Sequence, residues 1–269
     1  MRRSLDLYFR LISIQLRSQM QYRVSFWVDT FTTGLLNFSY FASTYLVLER
    51  FGSISGWQIG ELAFLYGMIE AAFGTMDMIF SGFDPDFFAV NIRQGSLDQI
   101  LLRPVNALTQ IFGSAFVLRR VGRIAQGLGV LALSFSLLNI HWTMAKLAYL
   151  PVVFLSQVAA MGALFMVGST FTFWTVQRVE AINIVTYGGV EVMSYPSSIY
   201  PTWLRGFFTY ILPFVFLNYY PALYFLGKAD PHGMPVFAPF LAPLAAGLML
   251  FAALRFWRFG LRHYQSTGT

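Results

Sequence analysis

Two carboxylates, Glu70 and Asp77, interrupt an otherwise apolar stretch, and their spacing of seven puts both on nearly one face of a helix. Acids within a bilayer are costly and normally face a bundle interior or a wet cavity. Two readings follow: a face that lines or gates a path, or structural pairing with arginines or backbone groups of a neighbouring helix. A second polar set, Asn183, Tyr187, Glu191 and Ser194, recurs at steps of four, four and three and forms one stripe. Such a stripe suits a cavity or a subunit seam better than acyl chains; chance clustering is the alternative.

Other chemistry lacks its residues. There is no G-x-x-x-x-G-K-[ST] phosphate loop and no G-x-S-x-G nucleophile turn. His141, His232 and His263 are far apart, without H-E-x-x-H, and read as interfacial polar residues rather than metal ligands. Cysteine is absent, which removes disulfides and thiolate chemistry. No motif supports an intramembrane enzyme built on the acids. The expectation is a chain that is not an enzyme, holds no metal and carries no cofactor of its own.

The elements that position these residues are membrane spans. Of the 269 residues, 57% are hydrophobic and 11% charged, against about 25% charged in soluble domains. The fold class expected is all-α and integral to the membrane, as one transmembrane domain over residues 1–269. The first ten residues lack an uninterrupted apolar core and a cleavage site, so no signal peptide is expected. Residues 1–22 read as an amphipathic helix, with Leu5, Phe9, Ile12, Leu16 and Met20 on one side and Asp6, Arg10, Ser13 and Arg17 on the other. Such a helix lies in the interface plane; the bland alternative is a helix packed on its own protein.

Six spans are expected: 24–48, 62–80, 124–140, 147–174, one starting near 181, and 235–254. Asp29 falls in the headgroup zone of the first. In the second, Ala63, Gly67, Ala71 and Thr75 form a ridge of small residues that lets another helix approach closely. Arg119, Arg120 and Arg123 place the entry to the third span among headgroups. Residues 201–228 are apolar but interrupted by Pro213 and Pro221, with Asn218-Tyr219-Tyr220 between them. They read as a re-entrant helical hairpin on the outer side.

Between spans two and three, residues 92–104 read I-R-Q-G-S-L-D-Q-I-L-L-R-P. Gly95 breaks the preceding element, Ser96 with Gln99 predicts a capping box, and Pro104 ends the helix. Leu97, Ile100 and Leu101 share one side, with Arg93, Asp98 and Arg103 at the charged margin. A short amphipathic helix between spans is a handle on which something outside the bilayer can push.

Charge orients the chain. Five arginines precede residue 24, five lie between 93 and 123, Arg178 adds one and Arg255, Arg258 and Arg262 three, so fourteen of the eighteen basic residues share one side. Arg50, Lys146, Arg205 and Lys228 fall on the other. The positive-inside bias puts both termini and the 92–104 loop in the cytoplasm. A seventh crossing at 203–227 would send the C-terminal arginines outside. Attraction to anionic lipid explains the rest of the basic balance, and the dispersion of the arginines argues against nucleic acid.

This layout, together with Ile92–Asn106 and Tyr195–Ala222 (Y-P-S-S-I-Y-P-T-W-L-R…I-L-P-F-V-F-L-N-Y-Y-P-A), resembles the permease subunits of bacterial ATP-binding-cassette exporters of the second type. Within them it looks like a subfamily often described only as a domain of unknown function. The resemblance implies a permease in the bacterial inner membrane, paired with a second copy or a related chain and docked on two cytoplasmic ATPase subunits that hold ATP and Mg. Residues 96–103 would be the coupling helix, with Arg93, Ser96, Leu97, Asp98, Ile100, Leu101 and Arg103 facing the ATPase. Spans two and five would flank the pathway, lined by Glu70, Asp77, Asn183, Tyr187 and Glu191. The substrate implied is lipid-like, amphiphilic or drug-like. The alternative is a stand-alone proton-coupled transporter or channel using the intramembrane acids; a third class is a structural membrane protein without transport.

Overall fold

The computed structural model describes residues 2–177 and 179–266, with side chains from residue 6 onward, and among these residues there are helices and no strands. Arg178 and the side chains of Arg2, Arg3 and Leu5, used in the readings above, lie outside the described set. In chain order, α1 (Arg2–Gln21) breaks at Tyr22 and passes directly into α2 (Arg23–Phe51). Then come α3 (Ile59–Ile79) and three short helices, α4 (Pro85–Arg93), α5 (Ser96–Leu102) and α6 (Ala107–Ser114). The long α7 (Val121–Leu137), α8 (Met144–Thr175) and α9 (Glu180–Ser194) follow. Next are α10 (Thr202–Gly206), α11 (Phe214–Leu217) and α12 (Tyr219–Leu226), and α13 (Ala242–His263) closes the series.

Among the described residues, three helices are long and apolar enough to cross a membrane: α3, α8 and α13. The other expected spans differ for physical reasons. With 29 residues α2 is ample in length, but its run of hydroxyls and an amide lowers its apolarity. Those groups are met within the helix itself: Asn37 donates to Thr33 O, Ser39 to Leu36 O and Ser43 to Ser39 O. At 17 and 15 residues, α7 and α9 reach ~26 and ~22 Å at 1.5 Å per residue, short of a ~30 Å hydrocarbon core.

Helix α3 is the centre of the bundle, buried almost all round, with α7 on one side and α8 and α9 on the other. The expected small-residue ridge is where α7 approaches. A Cβ on Gly67 would come within 2.6 Å of Leu131 N, and one on Gly127 would collide with the backbone of Ala71. On its other side α7 meets α2 the same way, since a Cβ on Gly122 would strike the Thr30 carbonyl. A second close pairing joins α8 and α13.

Residues 202–226 are a broken helical segment. The chain turns through a π-helical stretch at Phe207–Ile211 and breaks at Pro213, whose ring removes a backbone donor. Buried amides tie it to α3, α8 and α9. Asn218 donates to Leu65 O (3.0 Å) and Met193 O (2.7 Å), while Gln157 donates to Asn218 Oδ1 (2.9 Å) and Leu217 O (3.1 Å). Lys228 ties the far end of the segment to α3 through Glu61, at 2.7 Å.

Candidate functional site

The handle is built by caps. After α3, Asp84 accepts from Asp86 N (2.8 Å) and Phe87 N (3.3 Å), with Pro85 at the first helical position, so α4 starts sharply. The Asp-Pro pair was a readable helix start that the 92–104 reading passed over. Gly95, at φ +65°, is left-handed and turns α4 into α5. This changes one expectation: Gly95 itself occupies the capping position, Ser96 is already helical, and the Ser96/Gln99 capping box does not form. Arg103 is extended and Pro104 stops the helix as expected. Gln110 then reaches back from α6 to Ile100 O and Val105 O, both at 3.0 Å, and satisfies carbonyls at the end of α5. Nothing in the spacing marked Gln110 for that task.

The apolar side of α5 faces this chain. Leu97 is fully buried in the main core with Phe88 and Ile92, and Ile100 packs against it. Leu97 is therefore an anchor within this chain, and Ile100 is half-buried beside it, because α4 brings its own apolar face under α5. What remains outside is Leu101, Leu102 (85% exposed), Arg103, Pro104 and Val105, with Arg93 exposed at the end of α4. Asp98 accepts from Ser266 Oγ at 2.6 Å, so the segment after α13 folds back onto α5.

Beneath the handle lies an aromatic cluster. The Trp257 ring, 1% exposed, sits 5.2 Å from Phe83, 5.6 Å from Phe88 and 5.0 Å from Phe173, in edge or tilted geometries. Phe112 of α6 meets Phe83 and Phe80, both at 4.9 Å. Ser169 of α8 donates to Phe83 O at 2.5 Å. The handle is thus joined to the ends of α8 and α13 by packing worth several kcal/mol (roughly 0.5–1.5 per aromatic pair beyond burial).

The polar set gathers between α3, α7 and α9. Glu70 is buried and gripped by Arg123, Nε to Oε2 at 2.6 Å and a second guanidinium nitrogen to Oε1 at 2.9 Å. This is the bidentate fork that makes Arg–carboxylate pairs strong. The Arg123 guanidinium also lies 4.3 Å over the Phe73 ring. Arg120 Nε stands 2.8 Å from Asp77 Oδ2, an ionic contact in which the N–H is not aimed at the oxygen. Of the two readings of the acids, pairing with arginines is what the geometry displays; Glu70 and Asp77 do not line an open surface. Arg120 and Arg123 correspondingly turn inward, and Arg119 alone of the three is exposed. On α9, Tyr187 and Glu191 are exposed, Asn183 is half-buried, and Ser194 leaves the stripe to bond Val190 O inside the core. Tyr187 rests 5.5 Å from Phe73, so the α9 face adjoins the Glu70–Arg123 pair.

This combination of buried arginine-paired acids, a small-residue helix seam and an aromatic-seated loop helix comes with a family match. The model of the ABC-2 family transporter protein covers residues 35–268. The chain belongs to the ABC-2 transporter family. No curated protein and no solved structure matches it. The family supplies the membrane translocation component of transporters, is not itself catalytic, and in general implies an ATPase partner. Family and apolar helices together mark this permease as a multi-pass membrane protein.

Proposed function

We propose that this permease is the membrane subunit of a bacterial ATP-driven exporter, coupled through the α4–α5 handle to two separate cytoplasmic ATPase subunits that carry ATP and Mg. One observation carries the reading. The handle is anchored inward through Leu97 and the Trp257 cluster while Leu101, Leu102, Pro104 and Val105 leave an exposed apolar tip around Arg103, as a docking knob requires. On this reading α2, α3, α7, α8, α9 and α13 are six spans in the inner membrane, residues 201–228 are an outer re-entrant hairpin, and both termini face the cytoplasm. Burial of Leu217 and Asn218, with Gln157 donating to Leu217 O, supports the hairpin, because irregular backbone at membrane depth is tolerated only where protein covers it.

The permease works as a pair, with a second copy or a related chain, and the broad exposed apolar surface of α2 (Trp27, Phe31, Leu35, Phe38) supports contact with a partner or lipid. Tyr187, Glu191 and Asn183 line the pathway for a lipid-like, amphiphilic or drug-like substrate; Glu70 and Asp77 stand behind that face. The proton-coupled alternative narrows to Glu191, since the other two acids are paired with arginine.

Co-purification with the cognate ATPase tests the reading. Leu102→Asp and Val105→Asp at the tip should leave folding intact while reducing ATPase capture and permease-stimulated ATP hydrolysis at least ~10-fold, the scale of a lost interface anchor. Unchanged capture and hydrolysis in both variants, or transport by the permease alone in ATP-free liposomes, would overturn it.

A further inference from the structure

A cleft of about 390 Å³ lies where α1 turns into α2, closed by the extended residues 115–117; small-molecule sites usually measure ~300–1,000 Å³. Its walls are held by α1. Gln15 donates to Ser114 O (2.9 Å) and Gln19 to Phe116 O (2.5 Å), while Gln19 Oε1 accepts from Leu118 N (2.9 Å). Those amides are committed to the walls. Tyr22 and Phe26 add aromatic surface beside them.

Two charges face the same cleft and are poorly matched to each other. Asp29 and Arg119 stand 3.9 Å apart, each about half exposed. A charge-assisted hydrogen bond needs about 2.7–2.9 Å, so the carboxylate and the guanidinium each keep most of their bonding capacity. A ligand with a cation and an anion a few ångströms apart exchanges one loose contact for two short ones.

We infer that this cleft binds the headgroup of a zwitterionic phospholipid bearing a primary amine, its phosphodiester on Arg119 and its ammonium on Asp29. The inference rests on reading α1 as the amphipathic helix that the sequence predicts in the membrane plane, beside the proposed first span α2, which puts the α1–α2 break at headgroup depth. Guanidinium matches phosphate oxygens in pairs. A primary ammonium offers three N–H donors to the carboxylate; a quaternary ammonium offers none, and an anionic glycerol headgroup brings Asp29 no cation. The order of affinity is phosphatidylethanolamine, then phosphatidylcholine, then phosphatidylglycerol.

Native mass spectrometry of the detergent-solubilised permease, titrated with each of the three lipids, reads this order. Phosphatidylethanolamine should bind at least ~10-fold tighter than phosphatidylglycerol, and Asp29→Asn or Arg119→Gln should each weaken it about 10-fold, as loss of one charge-assisted hydrogen bond requires. Both side chains are exposed enough that an unchanged unfolding temperature should verify folding. Equal binding of the three lipids, or full retention of phosphatidylethanolamine by both variants, overturns the inference. Equally tight binding of chain-free glycerophosphoethanolamine overturns the lipid as its source. The measurement needs neither nucleotide nor ATPase, so its failure and the failure of the coupling reading are told apart.

Discussion

The two halves of α8 are attached to the rest of the molecule with a different emphasis, although rings also meet Tyr149 in the first half and Ser169 adds one buried hydrogen bond, to Phe83 O, in the second. Toward its C-terminal end, α4 and α13 meet it through rings: Phe83, Phe88, Phe173 and Trp257. Toward its N-terminal half, Gln157 meets the broken segment through a chain of hydrogen bonds centred on Asn218. Ring packing is short-ranged but has little directional demand, so neighbouring elements can pivot on it at modest cost. A buried hydrogen-bond node has one satisfactory geometry, and any displacement leaves groups unpaired. Packing of apolar volume thus dominates where the handle sits, and a polar node dominates where the chain is broken.

Substitutions can break this contrast. The largest effect belongs to Trp257→Ala, expected to cost about 3–5 kcal/mol from lost contacts and a residual cavity, measured as thermal unfolding in detergent. Trp257→Phe should restore much of that, because apolar volume is what the packing there requires. Asn218→Leu, close in size, should behave differently. It leaves Met193 O and the Gln157 amide short of partners at about 1–3 kcal/mol per buried group, and no apolar residue should rescue it. If Asn218→Leu is neutral while Trp257→Phe is as damaging as Ala, the contrast is wrong.

The smallest effect is a pH dependence outside the spans. Burial and the nearby Arg205 cation hold the His232 imidazole below its ordinary value of 6.5, against the opposing pull of Asp230. As pH falls through 6.5 the unfolded chain takes up the proton first. The loop's stability is therefore full above that pH and declines until the lower folded-state value is passed. Because His232 keeps part of its surface in solvent, the shift in unfolding temperature should be small, and His232→Asn should flatten it.

How much of this was readable from residues alone varies with the range of the interaction. The ridge of Gly67 and Ala71, the stop at Pro104 and the break at Pro213 are local consequences of side-chain size or of proline, and each appears where expected. The partners of Glu70 and Asp77 were open because Arg123 and Arg120 lie about fifty residues away, beyond any periodicity. The Ser96 cap failed for a local reason: a left-handed glycine took the position first. The burial of Leu97 is not visible in the 92–104 pattern because α4, started by Asp84 and Pro85, supplies the face that covers it. The proposed pathway and docking surfaces would be completed by other chains, and no single sequence displays those.

The glycine crossings carry a mechanical consequence. At Gly122, Gly127 and Gly67 main chain rests on main chain, so α2, α7 and α3 share contacts in which no rotamer can be exchanged for another. Sliding one past the next would drive peptide groups through each other, leaving these three to travel as a single plank. Any alternation between inward and outward opening must be accommodated at its edges, along α8, α9 and α13.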